Sequence, residues 1–335
     1  MNKWIVRLLA AVFSLAALVA VAGFWAYQQT VQLAQQPLVV AEAQELALQR
    51  GVSFRKLGKI LAEDKLIAYN WRWKLLGKLH PELTQIRSGL YEITPSDTVT
   101  TLLQRIASGD EKRFVLTLIE GKTIQEWRQY LQKVPHLSVD NDVFNKVLAA
   151  NGDSSELPEG KFFPDTYQYR ASSSIETILS QSYGKMQQQL AEIWQNRDSN
   201  LPLESPYELL TLASIIEKET GQESERPLIA AVFINRLRKG MRLQTDPTVI
   251  YGMGDRFDGN IRRKDLREAT PFNTYVIKGL PPTPIAAPGR ESLLAAAHPA
   301  DVNYLYFVSR NDGSHIFSST LAEHNRAVDK YQRNR

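Results

Sequence analysis

The chain contains no cysteine. Disulfides, thiolate nucleophiles and cysteine-held metals are therefore excluded, while an oxidising compartment is permitted. Other chemical signatures are missing too. There is no HExxH pair, no GxSxG elbow and no GKS or GKT phosphate loop, and the GMG of Gly252 to Gly254 lacks the third glycine and preceding strand of a dinucleotide site. His298, His315 and His324 lie close in sequence, but their intervals fit no metal-binding helix. Neither a metal nor another cofactor is expected. The formal charge is only +4, with no dense interleaving of basic and aromatic residues, so no nucleic-acid face is expected. A mild positive balance suits an anionic polymer or a membrane surface.

What is present is enough for a globular protein. With 335 residues, 43% apolar and 23% charged, the chain can build two domains around real cores. Lys3 and Arg7 precede an uncharged run from Leu8 to Tyr27, long enough to cross a hydrocarbon core of about 30 Å as a helix. Trp25 and Tyr27 mark its far interface, and the basic residues before the run place the N-terminus in the cytoplasm. A cleaved signal peptide, with Ala20-Val21-Ala22 as its site, is the competing reading, but the run exceeds a usual signal core. Both readings export the rest of the chain.

The stretch Ser205 to Gly254 carries the chemistry. Ser205, Pro206 and Glu208 form the signature of a helix start, and Gly221 marks an end. Leu209, Leu212, Ala213 and Ile216 recur at helical spacing, and the helix closes on Glu217, Lys218 and Glu219. At about 100° per residue, Glu219 lies roughly 70° from the middle of the apolar stripe and Glu217 roughly 90° away on the other side. The helical wheel barely separates them. Either carboxyl, held beside the stripe, would have its charged form disfavoured and its pKa raised, as a general acid near neutral pH requires. A solvated last turn is the plain alternative. A second helix follows from the Ser224 cap to Gly240. Then Gln244, Thr245, Asp246 and Tyr251 supply groups that line a sugar cleft, or a surface loop.

Elsewhere, Leu157 to Tyr169 sets Glu159, Asp165, Tyr167 and Tyr169 among Gly and Pro. These would face a sugar, or Pro164-Asp165 would simply turn the chain between aromatic core positions. Pro271 to Pro288 reads as a rigid wall or loop, not a helix. Tyr304 to Val308 pairs with Ser314 to Ser318 across Asn311-Asp312-Gly313.

The runs ASIIEKET, SER, FINRLRKGMRLQTDPTVIYGMG, NTY, GLPPTPIAAPG and AAAHPA resemble the YceG-like family of endolytic murein transglycosylases. The resemblance implies cleavage of peptidoglycan strands within the chain, with the acid on the second Glu of EKET, Glu219. It also implies lytic chemistry, in which the C6 hydroxyl of muramic acid attacks and leaves a 1,6-anhydro end. Substrate-binding candidates are Glu217, Gln244, Thr245, Asp246, Asn273, Tyr275 and Asp165. Two alternatives stand beside it: a non-catalytic peptidoglycan-binding scaffold, and a hydrolase needing a second acid at Asp246 or Asp165. Gly89 to Gly109 resembles the opening strand and helix of a LysM module, or is a plain structural unit.

The expected fold is therefore α+β, in five parts. Residues 1–7 are cytoplasmic, 8–27 span the membrane, 28–40 form a spacer, 41–115 a LysM-like lobe, and 116–335 the catalytic domain, in the periplasm. Expected partners are peptidoglycan glycan strands, the membrane and peptidoglycan synthases.

Overall fold

In the computed structural model, which describes residues 3–333, the chain is mixed α+β with three two-stranded sheets. It divides into two compact units, Met1–Phe114 with Arg170–Ser172 and Val115–Tyr169 with Ser173–Arg335.

The first unit begins with a helix α1, Lys3–Gln35, long and apolar enough to cross a membrane. It does not stop at the end of the apolar run. The first part of the segment expected as a spacer, as far as Gln35, continues as the same helix, and its Thr30 and Leu33 are buried. Strand β1 (Gln44–Leu48), helices α2 (Phe54–Glu63) and α3 (Trp71–Leu79), strand β2 (Gly89–Ile93) and helix α4 (Val99–Ser108) follow. The strands pair antiparallel, with Leu46 opposite Tyr91 and Leu48 opposite Gly89, and they turn Leu46, Leu48, Tyr91 and Ile93 inward. The strand and helix read from Gly89 to Gly109 are present, but as the second strand of the pair and the helix after it. Each helix start has its local cause. Ser53 and Asn70 accept from backbone amides of the first turns of α2 and α3, and Thr98 makes a reciprocal capping box with Thr101.

This core closes around Trp73, which is fully buried and donates its indole N–H to Phe54 O at 3.0 Å. Leu33 of α1 belongs to the same apolar cluster. Nearby, Trp25 of α1 stacks on Trp71 with ring centroids 5.8 Å apart.

The second unit comprises most of β3 (Arg113–Thr117) and of β4 (Thr166–Arg170), with α5 (Ile124–Leu131), α6 (Val143–Ala150), α7 (Ile175–Gln195), α8 (Pro206–Glu219), α9 (Arg226–Arg238), α10 (Asp246–Met253), α11 (Arg290–Ala297), β5 (Tyr306–Ser309), β6 (His315–Ser318) and α12 (Leu321–Val328). β3 pairs with β4, and β5 pairs antiparallel with β6, Phe307 opposite Phe317. The core is built on α8, whose neighbours are α7, α9 and α11. Leu209 to Ile216 are all buried, so this helix is enclosed on every side, beyond the single stripe its spacing suggests. The Pro-rich stretch is not helical, as read, but much of it is inside: Thr283 to Gly289 are buried. Its backbone is satisfied there, since Ile285 N donates to Ser214 Oγ and Ala287 exchanges bonds with Gly121 and Lys122.

Gly58 on α2 tests how tightly the first core is closed. A Cβ added there would lie 2.5 Å from Trp73 Nε1 and 2.6 Å from its Cε2. Gly58→Ala should destabilise the protein by about 1–3 kcal/mol through overpacking, outweighing the roughly 1 kcal/mol an alanine gains in a helix. Urea unfolding followed by tryptophan fluorescence measures it; a gain in stability would mean that the indole yields.

Candidate active site

Helix α8 starts where its sequence dictates. Ser205 Oγ accepts from Glu208 N at 3.2 Å, with Pro206 at the first helical position, while the Glu208 carboxylate accepts from Glu204 N at 2.7 Å. The helix ends at Glu219, two residues before Gly221, because Thr220 already adopts an extended conformation. Glu219 is thus the last helical residue, delivered to the rim of an enclosed helix. The two acids left unseparated by the helical wheel go to different places.

Glu217 faces α11. Its carboxylate accepts from Gly289 N at 3.0 Å and Ser292 Oγ at 2.7 Å, so it caps that helix and sits against the positive end of its dipole. Both of its partners are buried. Glu219 instead meets the segment before α10, where Thr245 Oγ1 donates to its Oε1. The residue is half-buried, but its carboxyl lies below the surface. Desolvation pushes its pKa from 4.5 up to about 7, and the charge of Asp246 adds to this, while the Thr245 hydroxyl, His315 and Arg236 pull it back. The result is a carboxyl that carries a proton for part of the time at neutral pH.

A cavity of about 510 Å³ opens over Glu219. Gln244, Thr245, Asp246 and Tyr275 line it as well. The segment is held by hydroxyls: Thr245 N donates to Thr274 Oγ1 at 3.1 Å, and Thr248 Oγ1 lies 2.8 Å from Thr274 Oγ1 and donates to Thr245 O at 2.7 Å. Gln244 takes a left-handed backbone, φ 51°, which costs a non-glycine residue energy and is sustained here by Gln244 N donating to Thr274 O. Tyr275 OH donates to Asp246 Oδ1 at 2.6 Å, fixing the second carboxylate of the cavity.

The remaining sequence candidates lie elsewhere. Asn273 is buried and does not line the cavity: its amide donates to Asp265 O and Glu268 O, and its Oδ1 accepts from Tyr275 N, so it shapes the loop that presents Tyr275. Asp165 pairs with Lys185 and is not among the lining residues. The lining also includes Arg236, Tyr306, His315 and His324, which the sequence does not assign to the site. Arg236 is buried and donates to Leu305 O and Leu243 O, both at 2.7 Å, which ties α9 to the cavity wall. His315 is held by Glu225 at 2.7 Å, and His324 stacks on Tyr306. A basic residue on an otherwise buried helix was a signal for Arg236; Tyr306 and His324 gave none, because only the fold brings the C-terminal strand and helix here.

The two acids should respond oppositely to removal. Between pH 4.5 and about 7 the native state holds a proton on Glu219 that the unfolded chain has released, so this group lowers stability as pH rises through that window. Glu219→Gln should therefore raise the melting temperature at pH 8, with the gain vanishing near pH 4. Glu217→Ala leaves the buried Gly289 N–H without its acceptor and should cost about 1–3 kcal/mol at any pH above the carboxylate range. Calorimetry across pH reads both; a Glu219→Gln protein no more stable than wild type at pH 8 would contradict the desolvated carboxyl.

The family model described as the YceG-like family matches residues 46–330. An endolytic murein transglycosylase of Bacillus subtilis (strain 168) is 36% identical, over 83% of this chain and 80% of that protein. One from Streptococcus pneumoniae serotype 2 (strain D39) is 24% identical over 94% of this chain, which spans 63% of that longer protein. A crystal structure of a yceG-like protein from Listeria monocytogenes matches with a TM-score of 0.53 and 30% identity, covering 85% of this chain and 99% of that one. The chain belongs to the YceG-like family.

Proposed function

We propose that this protein is a lytic transglycosylase, anchored in the cell inner (plasma) membrane, that cuts peptidoglycan glycan strands endolytically. The observation that carries the reading is Glu219, a carboxyl with pKa about 7 at the wall of a cavity of about 510 Å³. The relatives named endolytic murein transglycosylase supply the substrate and the reaction class.

Glycoside cleavage needs a proton at the leaving oxygen as the C1–O bond stretches and positive charge grows on the sugar ring. Protonated Glu219 gives its proton to the oxygen linking N-acetylmuramic acid to N-acetylglucosamine, and the bond breaks. The muramoyl C6 hydroxyl then attacks C1 from within the same sugar, and the Glu219 carboxylate takes the hydroxyl proton. Acid and base are one residue, no water is consumed, and the product ends in 1,6-anhydro-muramic acid. Asp246, held by Tyr275, stabilises the developing positive charge. Thr245 holds the Glu219 carboxyl in place and favours its charged form.

Anchoring is supported by α1, with its uncharged run after Lys3 and Arg7. This puts the N-terminus in the cytoplasm and both units in the periplasm. The order strand, helix, helix, strand in the first unit, with the strands antiparallel, supports reading it as a LysM-like glycan-binding lobe. An enzyme tethered at the membrane meets strands as they leave their synthases, so cutting there terminates elongation.

Mass spectrometry of products from purified peptidoglycan tests the chemistry. The wild-type protein should release anhydro-ended fragments, and Glu219→Gln should abolish them. Reducing ends in their place would make the protein a hydrolase with Asp246 as its second acid, and strand binding without cleavage would make it a scaffold. The pH profile adds a second check. Since the acid must be protonated, kcat/KM should fall on the alkaline side with an apparent pKa near 7. Thr245→Val removes a donor that favours the carboxylate, so that limb should move to higher pH.

A further inference from the structure

A second and larger cavity, about 870 Å³, lies in the same unit. Lys218 lines the larger cavity and Glu219 the smaller, and likewise Pro247 and Asp246, so at two points adjacent residues of one chain separate the two spaces. Its apolar lining comes from Ile124, Ile250, Phe272 and Ile285. Two cations, Arg128 and Lys218, join them, and neither has a carboxylate partner within ion-pair distance among the described residues. Lys218 Nζ donates to Gly121 O at 3.0 Å, while the Arg128 Nε is buried and has no hydrogen-bond partner. Two cations beside an apolar floor, neither in an ion pair, favour an anionic group in the cavity.

The cavity's acids meet this demand only in part: Glu126 feels the charge of Lys218 but does not reach it as an ion pair. Glu126 is engaged by Lys122 and by Thr123 N, and Asp255 accepts from Gln125. Glu159, buried on the wall, accepts from Ile124 N at 3.2 Å and from Tyr251 OH at 3.1 Å. What fits is therefore a ligand with an apolar body and carboxylates to meet Arg128 and Lys218. Neutral sugars do not match that demand; a short acidic peptide does. In murein, such a peptide leaves from C3 of the same muramoyl ring whose C1 is cut.

We propose that this cavity is a subsite for the peptide stem of the muramoyl residue, with Arg128 and Lys218 taking its carboxylates and the Ile250–Phe272 floor its side chains. The inference rests on the proposed cleavage of peptidoglycan and deepens it: the enzyme selects strands that still carry peptides over bare glycan.

The test compares the full chain in nanodiscs on two substrates, strands with intact stems and strands stripped of them by an amidase. It also measures binding of the isolated stem peptide by calorimetry, which does not depend on cleavage. Wild type should cut stem-bearing strands with the higher kcat/KM, and Arg128→Gln should lower the ratio of the two rates about tenfold, the loss of one hydrogen-bonded charge pair. Lys218→Gln, a change at an exposed side chain, should lower the ratio in the same direction and weaken peptide binding. Equal rates on both substrates, or a ratio unchanged in both variants, would overturn the subsite. If wild type cuts neither substrate yet binds the peptide in an Arg128-dependent way, the subsite stands and the lytic activity falls.

Discussion

Desolvation at the end of one helix governs the site. Leu209 to Ile216 of α8 are all buried, and a helix enclosed on every side cannot offer its last residues the hydration that a surface helix would. A carboxyl at that end must find a partner or keep its proton. Glu217 finds one, in the N-terminus of α11. Glu219 gets a single hydroxyl, from Thr245, and remains partly protonated. The same burial that secures the core thus raises the pKa of this carboxyl. The other features of the cavity follow from holding that arrangement in place: the hydroxyl bonds joining Thr245, Thr248 and Thr274, the left-handed Gln244, and Arg236 spanning three segments.

Two carboxyls of different character then share one cavity. Asp246 is more exposed than its neighbours and accepts a hydrogen bond from Tyr275, whereas Glu219 is enclosed. Burial thus distinguishes the two: Glu219 has its charged form disfavoured by desolvation. Arg236 moderates the contrast, since its buried guanidinium favours the charged form of Glu219.

How much of this could be read from the sequence depended on the range of the interactions involved. The start of α8 was legible because Ser205 and Pro206 act on their own helix. So was the β5–β6 hairpin with its Asn-Asp-Gly turn. The choice between Glu217 and Glu219 was not open to a helical wheel. It is made by Gly289, Ser292 and Thr245, which lie 72, 75 and 26 positions away. Asn273 and Tyr275 stand together in one motif, yet one is a buried brace and the other lines the cavity, a difference set by which way the loop turns. Polar composition also misled. Gln28, Gln29, Gln35 and Gln36 suggested a spacer, but Thr30 and Leu33, three residues apart, were enough to face a core.

The continuity of α1 has a mechanical meaning. Leu33 is locked into the core of the first unit by the same helix that carries the apolar run, with no glycine or proline between Tyr27 and Gln35. In a chain held by this helix the anchor is a shaft, not a tether. Each residue of helix advances the lobe by about 1.5 Å and turns it by about 100°. One residue inserted between Tyr27 and Leu33 would therefore hardly change the lobe's height above the lipid, but would swing it more than a quarter turn and present a different face along the membrane.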